Sequence, residues 1–252
     1  MAIEPDILSL EIVCPPVGEG ILEVRPVVSG RDLLTDLAGR GLSAGSRFLG
    51  SVPRYLLERN GRLHTTATPR EVRLGLSGCC WERCCGALYV TVRRDGERVV
   101  WEGWRDPVKQ GLDLPEIRFA ADQYEAEVSR AEADRSWEWP AVTVAMLLEA
   151  ALREPGDWLA RWECELEDIW AARGAPEEIQ VVLRHPPDRE DTDLPYIQFG
   201  MTLPISADDP SEQARRLEAQ LTAGDPRAVA EVWGGFQNEK LGYPLPDYPL
   251  ST

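Results

Sequence analysis

Ala87-Leu88-Tyr89-Val90-Thr91-Val92, then Asp95-Gly96, then Val99-Val100-Trp101 is the stretch whose reading decides the fold. The first run is rich in β-branched and aromatic residues, and so is the run that ends just before Trp104. Asp-Gly between two such runs is among the strongest short-range signals for a β-hairpin. An antiparallel sheet built around residues 87–101 is therefore the starting point.

Upstream, residues 7–13 and 20–28 read as short strands separated by Pro15-Pro16. Arg31 to Leu37 reads as a short helix, with Ser29 as its N-cap and Gly39 as its stop. Residues 40–70 read as irregular, punctuated by Gly41, Gly45, Gly50, Pro53, Gly61 and Pro69, with room for a helical turn from Val52 to Glu58.

Downstream, residues 120–134 read as an Ala- and Glu-rich helix. Residues 140–153 read as a second, with Pro140 in the first turn and Val144, Leu147, Leu148 and Leu152 on one face. Two readings stand for 157–173. Trp158, Trp162, Leu166, Ile169 and Trp170 fit a helical stripe, whereas Trp162, Cys164 and Leu166 alternating with Glu163, Glu165 and Glu167 fit a strand. Ile179–Leu183 and Tyr196–Ile205 read as strands joined by the acidic, Pro-rich loop 186–195. The segment 211–233 reads as helical, in two pieces, Pro210–Leu221 and Asp225–Trp233. Pro244, Pro246 and Pro249 make the tail coil or an extended arm. Strand groups followed by helix pairs give an α+β class with antiparallel sheet elements.

The 252 residues are 43% hydrophobic and 28% charged, an ordinary globular balance that excludes general disorder. The net charge of −16 is unevenly placed. Residues 1–125 carry 18 acids and 16 bases, and residues 126–252 carry 25 acids and 11 bases. Residues 40–105 hold 12 Arg against 6 acids. This break, with Pro107, Gly111 and Pro115, suggests a β-rich part over 1–115 and an acidic α/β part over 116–252, with one continuous domain as the alternative. A strongly acidic surface repels nucleic acid and anionic lipid and speeds encounter with basic partners. Arg outnumbers Lys 25 to 2, the imprint of a GC-rich genome, so each Arg is not read as a phosphate ligand.

The first twenty residues carry Glu4, Asp6, Glu11 and Glu19 and no base, which is not the pattern of a signal peptide. No window reaches 18 uninterrupted apolar residues, so no membrane helix is expected. Cys14, Cys79, Cys80, Cys84, Cys85 and Cys164 are then expected as reduced thiols in a cytoplasmic protein.

The chemistry-bearing strings are few. Cys79, Cys80, Cys84 and Cys85 place four thiols within seven residues, a candidate zinc site completed from His64, Cys14 or Cys164. The spacing departs from paired C-x2-C, and the bland reading is a turn whose Cys pack as small apolar residues. Gly41-Leu42-Ser43-Ala44-Gly45 matches the nucleophile-elbow string but lacks the leading strand that chemistry needs, which favours a Gly-rich loop. Carboxylates cluster at Glu163, Glu165, Glu167 and Asp168, and at Asp188, Glu190, Asp191 and Asp193. They are candidate cation ligands, read first as solvated faces. Only His64 and His185 are present, which leaves carboxylates as the natural acid–base groups. Nine Trp read mostly as core, with some as exposed anchors.

Five segments carry a resemblance. They are Cys85-Gly86-Ala87-Leu88 through Trp104; Phe119-Ala120-Ala121-Asp122-Gln123-Tyr124-Glu125; Arg135-Ser136-Trp137-Glu138-Trp139-Pro140; Gln198-Phe199-Gly200-Met201-Thr202-Leu203-Pro204; and Leu221-Thr222-Ala223-Gly224-Asp225-Pro226. Over roughly residues 70–245 the chain resembles a group of uncharacterised actinobacterial proteins. That resemblance implies a GC-rich bacterial origin and one co-inherited unit, and brings no activity, cofactor or site residue with it.

Two functions follow as expectations. The first is a non-catalytic cytosolic acidic module that binds a basic protein, in the manner of an immunity, antitoxin or adaptor component. The second is an enzyme with a carboxylate-based site, with or without an assisting metal, that no sequence motif marks. A flat acidic face with exposed Trp distinguishes the first; a deep polar pocket distinguishes the second.

Overall fold

Alternation of buried and exposed side chains sets the strands. The computed structural model describes residues 4–18, 22–40, 48–58, 62–77, 86–108, 112–153, 158–174, 177–187 and 194–243. By internal contacts the chain divides into two units, Met1–Pro15 with Gly20–Trp137, and Pro16–Glu19 with Glu138–Thr252. Their sheets are antiparallel and their class is α+β, as the hairpin-based reading expects.

In the first unit β1 (Leu8–Val13), β2 (Glu23–Val28) and β3 (Arg31–Asp32) form a three-stranded sheet in that order. Val28 pairs with Arg31, so Ser29 and Gly30 make a two-residue turn, both at positive φ (48° and 80°). That pattern is the type I′ hairpin turn. It takes Ser29 away from the capping role expected of it. Helix α1 (Leu33–Gly39) is capped instead by Asp32, whose carboxylate accepts the Thr35 N–H at 2.9 Å.

A five-stranded sheet follows in sequential order: β4 (Phe48–Gly50), β5 (Arg70–Ser77), β6 (Ala87–Asp95), β7 (Arg98–Arg105) and β8 (Ile117–Ala120). The expected hairpin is β6–β7, with its turn one residue along. Asp95 pairs with Arg98, which leaves Gly96 (φ 61°) and Glu97 as the turn, glycine in the first central position. β4, β5 and β8 lie outside the strands the sequence suggested. Arg54–Glu58, the expected helical turn, is π-helical.

Helix α2 (Ala121–Ala133) follows β8 directly and buries Tyr124, Val128 and Ala131. Trp101 of β7 meets Phe119 and Tyr124 edge-on, with centroids 5.2 and 6.2 Å away. This ring cluster joins β8 and α2 to the core of the first unit, which runs to Trp137.

The second unit opens with α3 (Pro140–Arg153). The ambiguous stretch 157–173 becomes a 3-10 turn at Ala160–Trp162 followed by β9 (Glu165–Ala172). Then come β10 (Glu178–His185), β11 (Tyr196–Pro204), α4 (Pro210–Thr222) and β12 (Glu231–Phe236). The helix expected over Asp225–Trp233 is absent. A 3-10 turn at Pro226–Ala228 leads into β12, which pairs with β11 and turns Val232 toward the core cluster. Pairing to a neighbouring strand overrides local helix propensity here. The sheet order is β12-β11-β10-β9. Helices α3 and α4 cover one face, where Val144, Leu148, Leu152 and Leu217 pack with Leu166, Val181, Leu183, Ile197 and Phe199. Among the described residues no helix is long and apolar enough to cross a membrane.

Candidate functional site

Period-2 alternation gives the four-stranded sheet a second face, opposite α3 and α4. Register sets Arg184 beside Gln198, Val182 beside Gly200 and Gln180 beside Thr202, and pairs Gln180 with Trp170 of β9 and Tyr196 with Phe236 of β12. Both edge strands carry an exposed aromatic on this face, Trp170 at 45% and Phe236 at 42% relative exposure.

Two bulges shape the face. In β9 Asp168 pairs with Val182 and Leu166 with Leu183, so Glu167 is the extra residue. In β12 Gly234 pairs with Gln198 and Val232 with Phe199, so Trp233 is the extra residue. Bulges re-aim side chains out of a regular ladder. Here Glu167 reaches across β10 to β11, where the Gln198 amide donates to both carboxylate oxygens at 2.9 Å. The Trp233 indole occupies the space a Cβ at Gly200 would fill. The two re-aimed groups therefore meet β11 at Gln198 and Gly200.

The surrounding polar groups are tied down. The Arg184 guanidinium stacks on Tyr196, 4.0 Å from the ring centroid, with Glu165 3.9 Å from its Nε. Trp170 Nε1 donates to Gln180 Oε1 at 2.6 Å. Glu167 is exposed at the surface, and partial desolvation by its neighbours moves its carboxyl upward from the ordinary carboxylate value. Gln198 and Arg184 pull it down, and Asp168 and Glu165 add to the rise. The face carries an exposed aromatic on each edge strand, with Glu165 and Asp168 on one edge and Glu231 on the other.

The other candidates fare differently. Cys79, Cys80, Cys84 and Cys85, the proposed zinc ligands, lie outside the described residues, as do Ser43 with its flanking Gly residues and the acids Asp188, Glu190, Asp191 and Asp193. Among the described residues no three His, Cys, Asp or Glu are grouped to hold a metal. Cys164 is buried, its thiol donates to the Trp162 carbonyl at 3.4 Å, and burial pushes it up to about 11. It is not the thiolate that metal binding or attack requires. Cys14 is half-buried, with its thiol directed to the Trp137 carbonyl.

His185 Nδ1 sits 2.8 Å from the Glu163 carbonyl oxygen. His64 lies between two carboxylates of α2, Nδ1 2.8 Å from Glu125 and Nε2 2.8 Å from Glu132. Both ring nitrogens face carboxylate oxygens, an arrangement that favours the doubly protonated imidazolium. Of the other Trp, Trp101, Trp104 and Trp137 are buried, and Trp139, Trp158 and Trp162 pack against the second core.

Glu165, Glu167 and Asp168 were candidates from sequence as a charge run, and the fold brings them together with Trp170. Gln198, Gly200 and Phe236 were not. A glycine inside a strand pattern signals close approach of another group, and Gly200 carried that signal. No family model, curated protein or solved structure matches the chain.

Proposed function

We propose that the chain is a non-catalytic acidic protein-binding module, of the immunity, antitoxin or adaptor kind, working in the cytoplasm on a basic protein partner. The observation that carries this reading is the open sheet face. Exposed Trp170 and Phe236 flank it, and Glu165, Glu167, Asp168, Glu178 and Glu231 lie on it against Arg184. Aromatic anchors inside a charged surround are the composition of interface hot spots. The 25 acids and 11 bases of residues 126–252 extend the same sign beyond the face, so a cationic partner would be steered toward it.

The test begins with native mass spectrometry of the protein purified gently from its host. Association kinetics with the co-purified partner then decide. The expected result is an on-rate that falls steeply as salt rises, and a Kd about tenfold or more weaker in Trp170→Ala. Salt-independent association, or unchanged affinity in both Trp170→Ala and Phe236→Ala, overturns the reading.

Glu167 favours a second reading, a carboxylate-based enzyme. A carboxyl held above its ordinary value beside Asp168 and Glu165 has the character of a general acid. A turnover whose pH profile changes in Glu167→Gln would support it.

A further inference from the structure

Three successive residues of the loop before β5 are fastened to one face of α2. Leu63 is fully buried, and its carbonyl accepts from the Tyr124 hydroxyl at 2.7 Å. Thr65 donates to Glu125 Oε1 from its N–H at 3.2 Å and from its hydroxyl at 2.5 Å. Between them, His64 sets Nδ1 2.8 Å from Glu125 Oε2 and Nε2 2.8 Å from Glu132 Oε2. Seven residues are about two helical turns, so the ring bridges from Glu125 to the last turn of α2.

These fastenings respond differently to loss of a proton. The phenol, hydroxyl and amide that serve Leu63 and Thr65 keep their protons at neutral pH. His64 needs an N–H on each ring nitrogen, which only the imidazolium has. A neutral ring turns one lone pair toward a carboxylate oxygen, and that contact is no hydrogen bond. Glu125 keeps Thr65 as a donor. For the Glu132 carboxylate, His64 is the one partner found among the described residues. Glu132 also lies in the last turn of α2, where the helix carbonyls oppose a negative charge. Glu132 is therefore the weaker end of the bridge.

The charged groups that face the ring are Glu125 and Glu132. Arg130 of α2 donates instead to Glu127 and to the Leu10 carbonyl. Arg62, on the same loop, stacks 4.3 Å from the Tyr55 centroid, where Arg73 also lies at 4.5 Å.

We propose that His64 is a proton-operated clasp on the C-terminal turn of α2: the imidazolium holds Glu132, and the neutral ring releases it and stays on Glu125. Burial opposes the charge, but the hydrogen bonds to Glu132 and Glu125 hold the ring above its ordinary 6.5. The clasp is then closed below that value and opens as pH rises through the raised one. The turn it closes ends at Asp134 and leads to Trp137, where the first unit ends.

The test is amide hydrogen exchange of the full chain, read by NMR as pH rises through the His64 titration and corrected for the intrinsic rise of exchange with pH. Protection of the amides of Ala131 to Asp134 should fall about tenfold, the change in equilibrium that one pKa unit represents. His64→Ala should show the lower protection throughout the range. Unchanged protection in the wild type, or the same pH-dependent fall in His64→Ala, overturns the clasp. Should His64→Ala not fold, nitrogen NMR of the wild-type ring decides: above its titration the remaining proton must sit on Nδ1. A neutral ring protonated on Nε2 keeps Glu132 and overturns the proposal.

Discussion

The Trp233 indole sits where a Cβ of Gly200 would be, so β12 and β11 interlock through a missing side chain on the open face of the second sheet. Gly200→Ala must displace the indole. Overpacking of this kind costs about 1–3 kcal/mol. Chemical denaturation should show a lowered midpoint, accompanied by a shift in tryptophan emission. An unaltered midpoint would mean that Trp233 does not rest on Gly200.

His64 ties the loop before β5 to α2 and should make stability fall as pH rises. Burial alone would lower its pKa, but the hydrogen bonds it donates to Glu132 and then Glu125 outweigh burial and hold it above the ordinary 6.5. A pKa raised by folding stabilises fully below the unfolded value and loses that contribution as pH rises through the folded one. Glu125 acts at the other end. Burial would raise it, yet Thr65 and His64 hold it below 4.5, so its contribution is present above that value and lost as pH falls through the lowered one. The link should therefore be strongest between about pH 4.5 and 6.5. His64→Gln should cost about 1 kcal/mol there and flatten the alkaline limb of a stability–pH curve. An unchanged limb would count against the link.

Arg25 is the cation of a buried network on β2. It donates to Glu23 at 3.1 Å and Thr35 at 3.0 Å, and pairs with Asp32, while Glu23 also accepts the Gly50 N–H. Glu23 is only 1% exposed, so Arg25→Ala strands a buried carboxylate. The expected cost is about 3–5 kcal/mol. Replacing Glu23 and Arg25 together by apolar residues of similar volume should cost much less, and a double-mutant cycle measures the difference. Equal losses in the single and double variants would refute the network.

Tyr124 is fully buried, its hydroxyl accepting from Trp101 Nε1 at 3.2 Å and donating to the Leu63 carbonyl at 2.7 Å. Tyr124→Phe keeps the ring packing and leaves both partners unsatisfied. We expect a loss of about 1–3 kcal/mol in denaturant unfolding. A neutral substitution would show that neither bond is made.

Legibility in the sequence followed the range of the forces involved. The 87–101 hairpin was readable because its turn and both runs lie within fifteen residues. Helix α2 is readable from its Ala- and Glu-rich composition and α3 from Pro140 and one apolar face, and Pro210–Leu221 reads as helical. β8 was not, because four residues are too few for a periodic signal and its pairing with β7 is a tertiary fact. β12 was misread as helix for the same reason: Ala228-Val229-Ala230 has local helix propensity, whereas the pairing of Phe199 with Val232 cannot be seen locally. Of the outer face of the second sheet, the acids and Trp170 are legible as residue types, but their shared side is not.

By itself the sequence determined the α+β class, the hairpin, helices α1 to α4 and the acidic bias of the C-terminal half, all properties of composition or of neighbours along the chain. Only the tertiary structure decided that Glu167 and Trp233 turn onto one face around Gln198 and Gly200, and that Arg62 and Arg73 converge on Tyr55. Each depends on strand register, and a shift of one residue would send every one of those strand side chains to the opposite side.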